Sequence, residues 1–263
     1  MAEPYKNTEP LLKVEHLKKY YPQNRPIFGR PTSWIRAADD VSLELYPGET
    51  LGLVGESGCG KSALCRSIMK LLPASAKQKS GQILLEGEDI TGYPERKMCT
   101  LRGSRFSMVF QDPMTALDPA MTIGDQIAEA VKQQKADQKQ RLSREQVYHR
   151  VEELMELVGI DYPAERSRQY PHQFSGGMRQ RAVLAVALAG NPEIIFADEP
   201  TTALDVTVQA QILDLFRDIQ KKLGTSIVFV THDLGAVAHV ADRVAVMYAG
   251  KIVEIGTADE IFY

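Results

Sequence analysis

The residues of this sequence best suited to chemistry form a glycine-rich run that ends in lysine and serine. The run fits the spacing G-x-x-x-x-G-K-[ST] in full and comprises Gly55, Glu56, Ser57, Gly58, Cys59, Gly60, Lys61 and Ser62, with Ala63 directly after it. Glycines at these positions let successive backbone N–H groups turn toward phosphate oxygens, and a helix N-terminus adds about half a positive charge. Lys61 can reach the β- and γ-phosphates, and the Ser62 hydroxyl can bind Mg²⁺. The run therefore predicts a nucleoside triphosphate site rather than a flexible glycine loop.

Two adjacent acids follow an apolar run in the second half of the chain. The run Ile194-Ile-Phe-Ala ends in Asp198 and Glu199. A carboxylate at the carboxyl edge of a sheet is well placed to organise Mg²⁺, directly or through water, and this role is predicted for Asp198. Glu199 would then act as the general base that polarises the attacking water. A pair of helix-capping acids is the alternative, and the phosphate loop makes it the weaker hypothesis.

Both groups of residues need strands that end beside them. Thr50–Val54 is a short apolar run before the glycine loop, and a helical pattern follows the loop through Leu72. Ile194–Ala197 and Ile227–Val230 are similar apolar runs, and Val206–Leu223 between them has the spacing of an amphipathic helix. Runs of this kind bounded by polar loops are typical of a parallel sheet covered on both faces. The carboxyl ends of its strands would carry the predicted site.

The remaining patterns predict an α/β fold that consists of a single P-loop NTPase cassette over residues 1–263. Further strands are predicted at Leu11–Leu17, Val41–Leu45, Gly81–Glu86 and Phe106–Phe110, with a hairpin formed by Arg243–Tyr248 and Lys251–Ile255. Gln23–Arg36 is expected to be an inserted loop or hairpin. We expect a mixed sheet with an N-terminal antiparallel part, a core of about residues 11–121 and 172–263, and an inserted helical subdomain over about residues 122–171. Within that subdomain, Lys132–Arg144 is predicted to be a solvated linker, with a basic contact site as the alternative.

The composition excludes several classes of protein. The 31 Lys and Arg residues against 34 Asp and Glu give a net charge of −3, so the clustered cations on which nucleic-acid binding depends are not indicated. The longest apolar stretch, Ala182–Gly190, has half of the ~18 residues of a membrane-spanning helix. The polar start Met1–Pro10 lacks the apolar region of a secretory signal, and three cysteines without metal-ligand spacing indicate a reducing compartment. We expect a cytoplasmic protein with no membrane span of its own and no nucleic-acid partner.

A third motif narrows the class of nucleotide-binding protein. Phe174-Ser-Gly-Gly-Met-Arg-Gln-Arg181 leads into a helical run at Ala182–Ala189, so that Ser175, Gly176 and Gly177 form a second anion site at a helix start. One phosphate loop and a second phosphate-facing helix in the same chain suggest that two chains share a nucleotide. With these motifs in this order, the chain resembles the nucleotide-binding subunits of ABC transporters from about Leu11 to Ile261. In that family the Ser-Gly-Gly segment is the signature that closes over the ATP of the opposite subunit.

The resemblance implies roles for several further residues. Gln111 matches the Q-loop glutamine, which contacts Mg²⁺ and water and senses the γ-phosphate. Ala203-Leu204-Asp205 matches the D-loop, which crosses the dimer interface, and His232 matches the switch histidine that bonds the γ-phosphate. For the aromatic ring that stacks on adenine, Tyr21 is the best match and Tyr20 the close competitor, because stacking needs only a flat ring. The Mg²⁺ ligands implied by the resemblance are Ser62, Gln111 and Asp198.

Two longer segments, Gln111–Pro119 and Glu199–Gln211, resemble one branch of the family, the di- and oligopeptide or nickel importer ATPases. Phe174 and Met178 depart from the commonest signature in a way that is typical of this branch. The resemblance implies ATP and Mg²⁺ as cofactors, a second ATP-binding subunit, integral membrane permease subunits, and an extracytoplasmic solute-binding protein as an indirect partner. It places the chain at the cytoplasmic face of the cell membrane as a peripheral subunit. ATP would close the pair of subunits, and hydrolysis assisted by Glu199 would release it.

Several alternatives stay open at this stage. The solute could be a dipeptide, an oligopeptide, nickel or another compound, and the pair of ATPase subunits could be a homodimer or a heterodimer. Chains of this branch usually continue past Phe262 with an extension, and the sequence does not say whether a stop at Tyr263 is natural. A rival function is that of an accessory ATPase in a soluble metabolic enzyme complex, which keeps similar motifs. An ATPase that remodels nucleic acid or ribosomes would usually carry two cassettes or a long coiled-coil insertion, and neither pattern is found here.

Overall fold

The computed structural model describes residues 8–23, 33–137, 142–202 and 204–263. Its strands are β1 (Leu12–Pro22), β2 (Trp34–Leu45), β3 (Thr50–Val54), β4 (Lys77–Leu85), β5 (Glu88–Asp89), β6 (Phe106–Val109), β7 (Ile194–Asp198), β8 (Ser226–Thr231), β9 (Arg243–Tyr248) and β10 (Lys251–Thr257). Its α-helices are α1 (Lys61–Ile68), α2 (Glu95–Leu101), α3 (Pro113–Ala116), α4 (Ile123–Asp137), α5 (Arg144–Leu157), α6 (Pro163–Arg166), α7 (Gly176–Leu188), α8 (Val206–Leu223), α9 (Leu234–Val240) and α10 (Ala258–Phe262), with a 3₁₀ turn at Pro171–Gln173. Within these described residues, no helix combines the length and the apolar character that crossing a bilayer requires.

The chain folds into two compact units. The first unit contains the described residues of Met1–Met98 together with Ser226–Tyr263, and the second contains those of Cys99–Thr225. The division of the sequence into a core and a helical subdomain over residues 122–171 stays a prediction.

In the first unit, the strands form one antiparallel group and one mostly parallel group. The antiparallel sheet has the order β2–β1–β4–β5, and the other strands follow the order β10–β9–β3–β8. β3 runs parallel to both β8 and β9, whereas β9 and β10 form an antiparallel hairpin. Every residue of β3 and of β8 is buried, which explains why these runs are apolar on both faces instead of alternating.

In the second unit, β6 and β7 pair in parallel, and the helices α4, α5 and α7 pack against one another. Helix α5 begins with a capping box in which Ser143 and Gln146 each accept from the other's backbone N–H. Helix α8 begins at the N-cap Asp205 and ends at Gly224, whose φ of 66° is the left-handed value that favours glycine at a helix C-terminus.

The α/β prediction with an N-terminal antiparallel part is confirmed, and the predicted bounds of β3 and α8 are those observed. The prediction that the first helix continues through Leu72 was wrong, because α1 ends at Ile68 and Lys70 has a left-handed φ of 53°. The predicted linker at Lys132–Arg144 was also too long, since α4 continues to Asp137 and α5 begins at Arg144. The centre of that linker, and residues 24–32 of the predicted insertion Gln23–Arg36, lie outside the described residues.

Candidate functional site

The glycine-rich run forms a loop between β3 and α1 in the first unit. Gly60 is the residue before α1 and has φ 114°, and a Cβ on it would lie 2.1 Å from the Ala37 carbonyl oxygen, so only glycine fits. The side chain of Lys61 folds back over the loop, where Nζ donates to the carbonyl oxygens of Gly55 at 2.7 Å and Glu56 at 3.0 Å. Lys61 is thereby buried and held against the backbone of the same loop that would bind a phosphate.

The outer part of the same loop is open. Glu56, Ser57 and Gly58 are exposed, and Cys59 is buried beneath them. Ser62, which carries a hydroxyl group, and Ala63 lie in the first turn of α1 and are half-buried. An anion at the exposed side would meet the N-terminus of α1, where backbone N–H groups have no partner within the helix.

His232 lies at the same edge of the sheet as the phosphate loop. β3 and β8 are parallel neighbours in which Val54 is opposite Thr231. Gly55 and His232 are the next residues of the two strands, so both leave the sheet at the same level. The His232 side chain is exposed, and Asp233 after it caps α9 by accepting from the Gly235 N–H at 2.9 Å.

The two tyrosines near the end of β1 have different surroundings. The Tyr20 hydroxyl donates to Asp39 Oδ1 at 2.5 Å, and this bond raises the pKa of Tyr20 and lowers that of Asp39. Burial raises the pKa of Tyr21, and the charge of Arg66 on α1 opposes that rise. The Tyr20 side chain is therefore tied to Asp39 of β2, whereas both tyrosines pair with β2 through their backbones.

In the second unit, the parallel pairing of β6 and β7 brings two predicted residues together. Val109 is opposite Ala197, and Gln111 and Glu199 each lie two residues further along. Because the two strands leave the sheet in register, the Gln111 amide Nε2 comes within 3.1 Å of Glu199 Oε2. Asp198, the last residue of β7, is only 1% exposed and directly precedes Glu199.

The predicted signature forms the start of α7. Ser175 is the N-cap, and its Oγ accepts from the Met178 N–H at 3.3 Å. Gly177 is required by packing, since a Cβ there would lie 2.5 Å from Cγ1 of Val208 on α8. Gly176 is not required in this way by the described residues, whose nearest atom to a Cβ on it would be at an ordinary 3.7 Å. The exposed Ser175 and Gly176 therefore present an open surface at the N-terminus of a 13-residue helix.

Asp205, predicted to belong to the D-loop, is a helix cap. Its Oδ1 accepts from the Val208 N–H at 3.0 Å and begins α8. Capping by itself accounts for an acid at this position, so the D-loop role stays a prediction. Ala203 of the same predicted loop lies outside the described residues.

Sequence reasoning missed one contact of Glu199. Thr202 Oγ1 donates to Glu199 Oε2 at 3.0 Å, and Glu199 has a left-handed φ of 49°. The dipeptide Glu199-Pro200 was the available signal, because proline at the second position of a turn brings the first and fourth residues close.

The comparisons with known proteins agree with the motifs. The sequence profile described as "ABC transporter" matches residues 38–202. The oligopeptide transport ATP-binding protein OppD of Bacillus subtilis (strain 168) is 56% identical over 230 residues, which are 87% of this chain and 63% of that protein. The dipeptide transport ATP-binding protein DppD of the same organism is 55% identical over 230 residues, or 87% of this chain and 67% of that protein. The chain thus spans about two thirds of the length of these relatives.

Solved structures show the same fold. The ATP-binding cassette MJ0796, in a dimeric post-hydrolysis state bound to ADP and Pi, has a TM-score of 0.78 and 25% identity and covers 94% of this chain and 98% of its own. CbiO1 from Clostridium perfringens, part of the ABC transporter complex cbiONQ, has a TM-score of 0.77 and 28% identity, with coverage of 97% and 91%. The fold and the family expected from the motifs are both confirmed. With a family profile over more than half of its length and relatives above 50% identity, the chain belongs to the ABC transporter family as an ATP-binding cassette.

Proposed function

We propose that this chain binds and hydrolyses ATP and that it powers a membrane transporter that imports peptides. The phosphate loop is the observation that carries the proposal. Its buried Lys61 is bonded to the carbonyl oxygens of Gly55 and Glu56 at the start of α1, and the loop's outer residues are exposed. This arrangement offers a cation and several backbone N–H groups to the β- and γ-phosphates.

The chain also has oxygen ligands of the kind that Mg²⁺ prefers. The ligands that the family resemblance implies are the Ser62 hydroxyl in the first unit and, in the second unit, the Gln111 amide oxygen and the Asp198 carboxylate, each of them a hard oxygen donor. When bound, Mg²⁺ would neutralise charge that develops on the phosphate oxygens. Asp198 supports its part in this set by its position, because it ends β7 directly before Glu199.

Glu199 is the proposed general base. Its carboxylate follows the buried strand β7 and is held by the Gln111 amide, so it could polarise the water that attacks ATP. His232 would bond the γ-phosphate from the end of β8, where it is exposed at the level of the phosphate loop. Because the Tyr20 hydroxyl is bonded to Asp39 of β2, we favour Tyr21 as the ring that stacks on adenine.

The substitution Glu199→Gln tests the ATPase proposal directly. The amide cannot accept a proton from water, so we expect ATP binding to persist while hydrolysis falls by at least ~100-fold. Binding is measured with a fluorescent ATP analogue, and hydrolysis is measured as phosphate release. Glu193→Gln is the matched control, because it removes a partly exposed acid that pairs with Arg105 at 2.7 Å and should leave hydrolysis unchanged. Undiminished hydrolysis in Glu199→Gln would remove the base assignment.

A second ATP-binding cassette is the proposed partner at the start of α7. Among the described residues, nothing packs closely enough against Gly176 to require glycine, and the exposed Ser175 and Gly176 at the N-terminus of α7 fit a phosphate that approaches from another chain. Asp205 would lie at the same interface. MJ0796, which shares the fold, is described as a dimer with ADP and Pi. The partner is either a second copy or a sister subunit.

Integral membrane permease subunits are the partners proposed for a groove in the second unit. A cavity of about 300 Å³ lies beside the loop of Gln111 and is lined mainly by apolar side chains, among them Phe110, Leu117, Val183 and Val186. An amphipathic cytoplasmic helix of a permease fits an apolar groove of this kind. We further propose, from the family resemblance, that the chain works at the cytoplasmic face of the cell membrane, with an extracytoplasmic solute-binding protein as an indirect partner.

Peptides are the proposed solutes because the relatives are oligopeptide and dipeptide transport ATP-binding proteins. The alternative of an accessory ATPase in a soluble enzyme complex is not favoured, since these relatives are named for transport. The solute itself would contact the permease and not this chain.

A further inference from the structure

A second side chain shares the oxygen through which Gln111 holds the proposed base. Thr202 Oγ1 donates to Glu199 Oε2 at 3.0 Å, and Gln111 Nε2 donates to the same oxygen at 3.1 Å. We propose that Thr202 is a positioning residue for ATP hydrolysis, whose hydroxyl holds the Glu199 carboxylate in its reactive orientation. The inference rests on the proposed function, because it requires Glu199 to act on the attacking water.

The backbone around Glu199 makes Thr202 well suited to this role. Residues 199–202 form a turn in which the Thr202 N–H donates to the Glu199 carbonyl oxygen at 3.2 Å, with Pro200 at the second position. Glu199 itself has a φ of 49°, which a residue with a side chain adopts only when its surroundings hold it there. Thr202 thus bonds both the main chain and the carboxylate of the same residue.

A glutamate side chain has three rotatable bonds, so its carboxylate reaches a fixed place only if a partner restricts it. A displacement of about 1 Å at a reacting group costs on the order of 100-fold in rate. The amide of Gln111 is one restraint, but the family resemblance also gives Gln111 contacts with Mg²⁺ and water. The Thr202 hydroxyl is three residues from Glu199 within one turn, so its contact does not depend on where Gln111 points.

Two substitutions at this position separate the hydroxyl from the shape of the side chain. Thr202→Val keeps the branched shape and removes the donor, whereas Thr202→Ser keeps the donor. In the full chain, we expect Thr202→Val to lower kcat by about tenfold, because it removes one hydrogen bond to a charged group, while KM for ATP stays within about twofold. Thr202→Ser should keep at least about half of the wild-type kcat. Thr225→Val is the matched control, because Thr225 is a buried threonine of the same unit whose hydroxyl bonds the Pro192 carbonyl oxygen.

A double substitution tests whether Thr202 acts through Glu199. If it does, Thr202→Val added to Glu199→Gln should change the residual hydrolysis by less than about twofold, because residues that act as a unit are not additive. An unchanged kcat in Thr202→Val, or an equal loss in the valine and serine variants with a lowered melting temperature, would overturn the positioning role. Undiminished hydrolysis in Glu199→Gln alone would instead remove the base assignment on which the positioning role depends, and an unsubstituted chain that hydrolyses no ATP would overturn the proposed function, so the failures are distinguishable.

Discussion

Glu49 is an acid whose environment matters for stability and not for the proposed reaction. It is fully buried at the start of β3, where Oε1 lies 3.0 Å from an Arg243 guanidinium nitrogen and Oε2 accepts from the Tyr46 N–H at 2.6 Å. Burial raises the pKa of Glu49 from 4.5 to about 7, although the Tyr46 N–H and Arg243 oppose the rise, and the nearby Asp242 raises it further. The folded chain therefore holds a proton here that the unfolded chain releases at lower pH.

The consequence is a loss of stability as pH rises. Below pH 4.5 the carboxyl is protonated in both states, and between pH 4.5 and about 7 only the folded state keeps the proton, so unfolding releases it. This contribution to the free energy of unfolding is fully present below pH 4.5 and is lost as the pH rises through about 7. Its size is about 3 kcal/mol. Glu49→Gln carries no proton to lose. We expect the free energy of unfolding of the wild type, relative to Glu49→Gln, to be lower at about pH 8 than at about pH 5, measured by urea denaturation. An equal difference at both values would mean that Glu49 stays ionised.

At this scale the sequence predicted residue types better than contacts. Gly60 and Lys61 could be assigned from spacing because the loop is local, and each of its residues is fixed by the backbone beside it. Thr202 could not, because its bond to Glu199 depends on a turn geometry that the sequence Glu-Pro-Thr-Thr allows but does not dictate. Gln111 was assigned by resemblance, and its contact with Glu199 became visible only with the pairing of β6 and β7.

At the scale of elements, long periodic segments were predicted well and short helices were not. The strand β3 and the helix α8 have strong apolar patterns and were predicted with their observed bounds. The seven-residue α9 and the four-residue α3 were missed, because two turns or fewer cannot establish a period of 3.6 residues. Both carried a usable signal at their start: Asp233 is the N-cap of α9, and Asp112 is the N-cap of α3, whose first residue is Pro113. The end of α1 was missed because no glycine marks the left-handed Lys70.

The two glycines at the start of α7 should respond differently to substitution. Gly177→Ala forces a methyl group to within 2.5 Å of Val208 Cγ1, so α7 and α8 must move apart, and we expect a loss of about 1–3 kcal/mol in stability. Gly176→Ala meets no atom of the described residues closer than 3.7 Å and should leave the melting temperature unchanged or slightly raised.

Association distinguishes the same pair of variants in a second way. In a Glu199→Gln background, where ATP should persist, Gly176→Ala would obstruct the phosphate of the opposite cassette and weaken ATP-dependent dimerisation, as measured by size-exclusion chromatography. If Gly176→Ala in this background formed the same fraction of dimer as Glu199→Gln alone, a phosphate contact at Gly176 would be contradicted. Thermal unfolding of Gly177→Ala alone checks the packing argument.

At the scale of the whole molecule, function depends on what the apolar groove near Gln111 binds. Ala130 is half-buried in its lining, so Ala130→Arg would place a charge where a permease helix should lie. We expect the tagged chain, purified from detergent-solubilised membranes, to bring down an integral membrane protein identified by mass spectrometry. Ala130→Arg should lose that protein and keep ATP binding, because burial of an unpaired charge against an apolar helix is costly.

The control for this experiment is Ala74→Arg, which adds the same charge at an exposed position of the first unit. It should retain the membrane protein. Recovery of a soluble enzyme in place of an integral permease would support the accessory-ATPase alternative, and equal recovery with Ala130→Arg would place the permease elsewhere on the chain.

The parallel register that sets Gln111 beside Glu199 also limits which changes of chain length the protein tolerates. Both residues lie two positions beyond a paired residue of their strand, so one inserted or deleted residue within either short stretch would displace one side chain and leave the other in place. The same holds for the step from Val54 to Gly55 and from Thr231 to His232. Variation in length among related chains is therefore expected to begin only after these residues, and an alignment that places a gap inside these four steps should be considered misaligned.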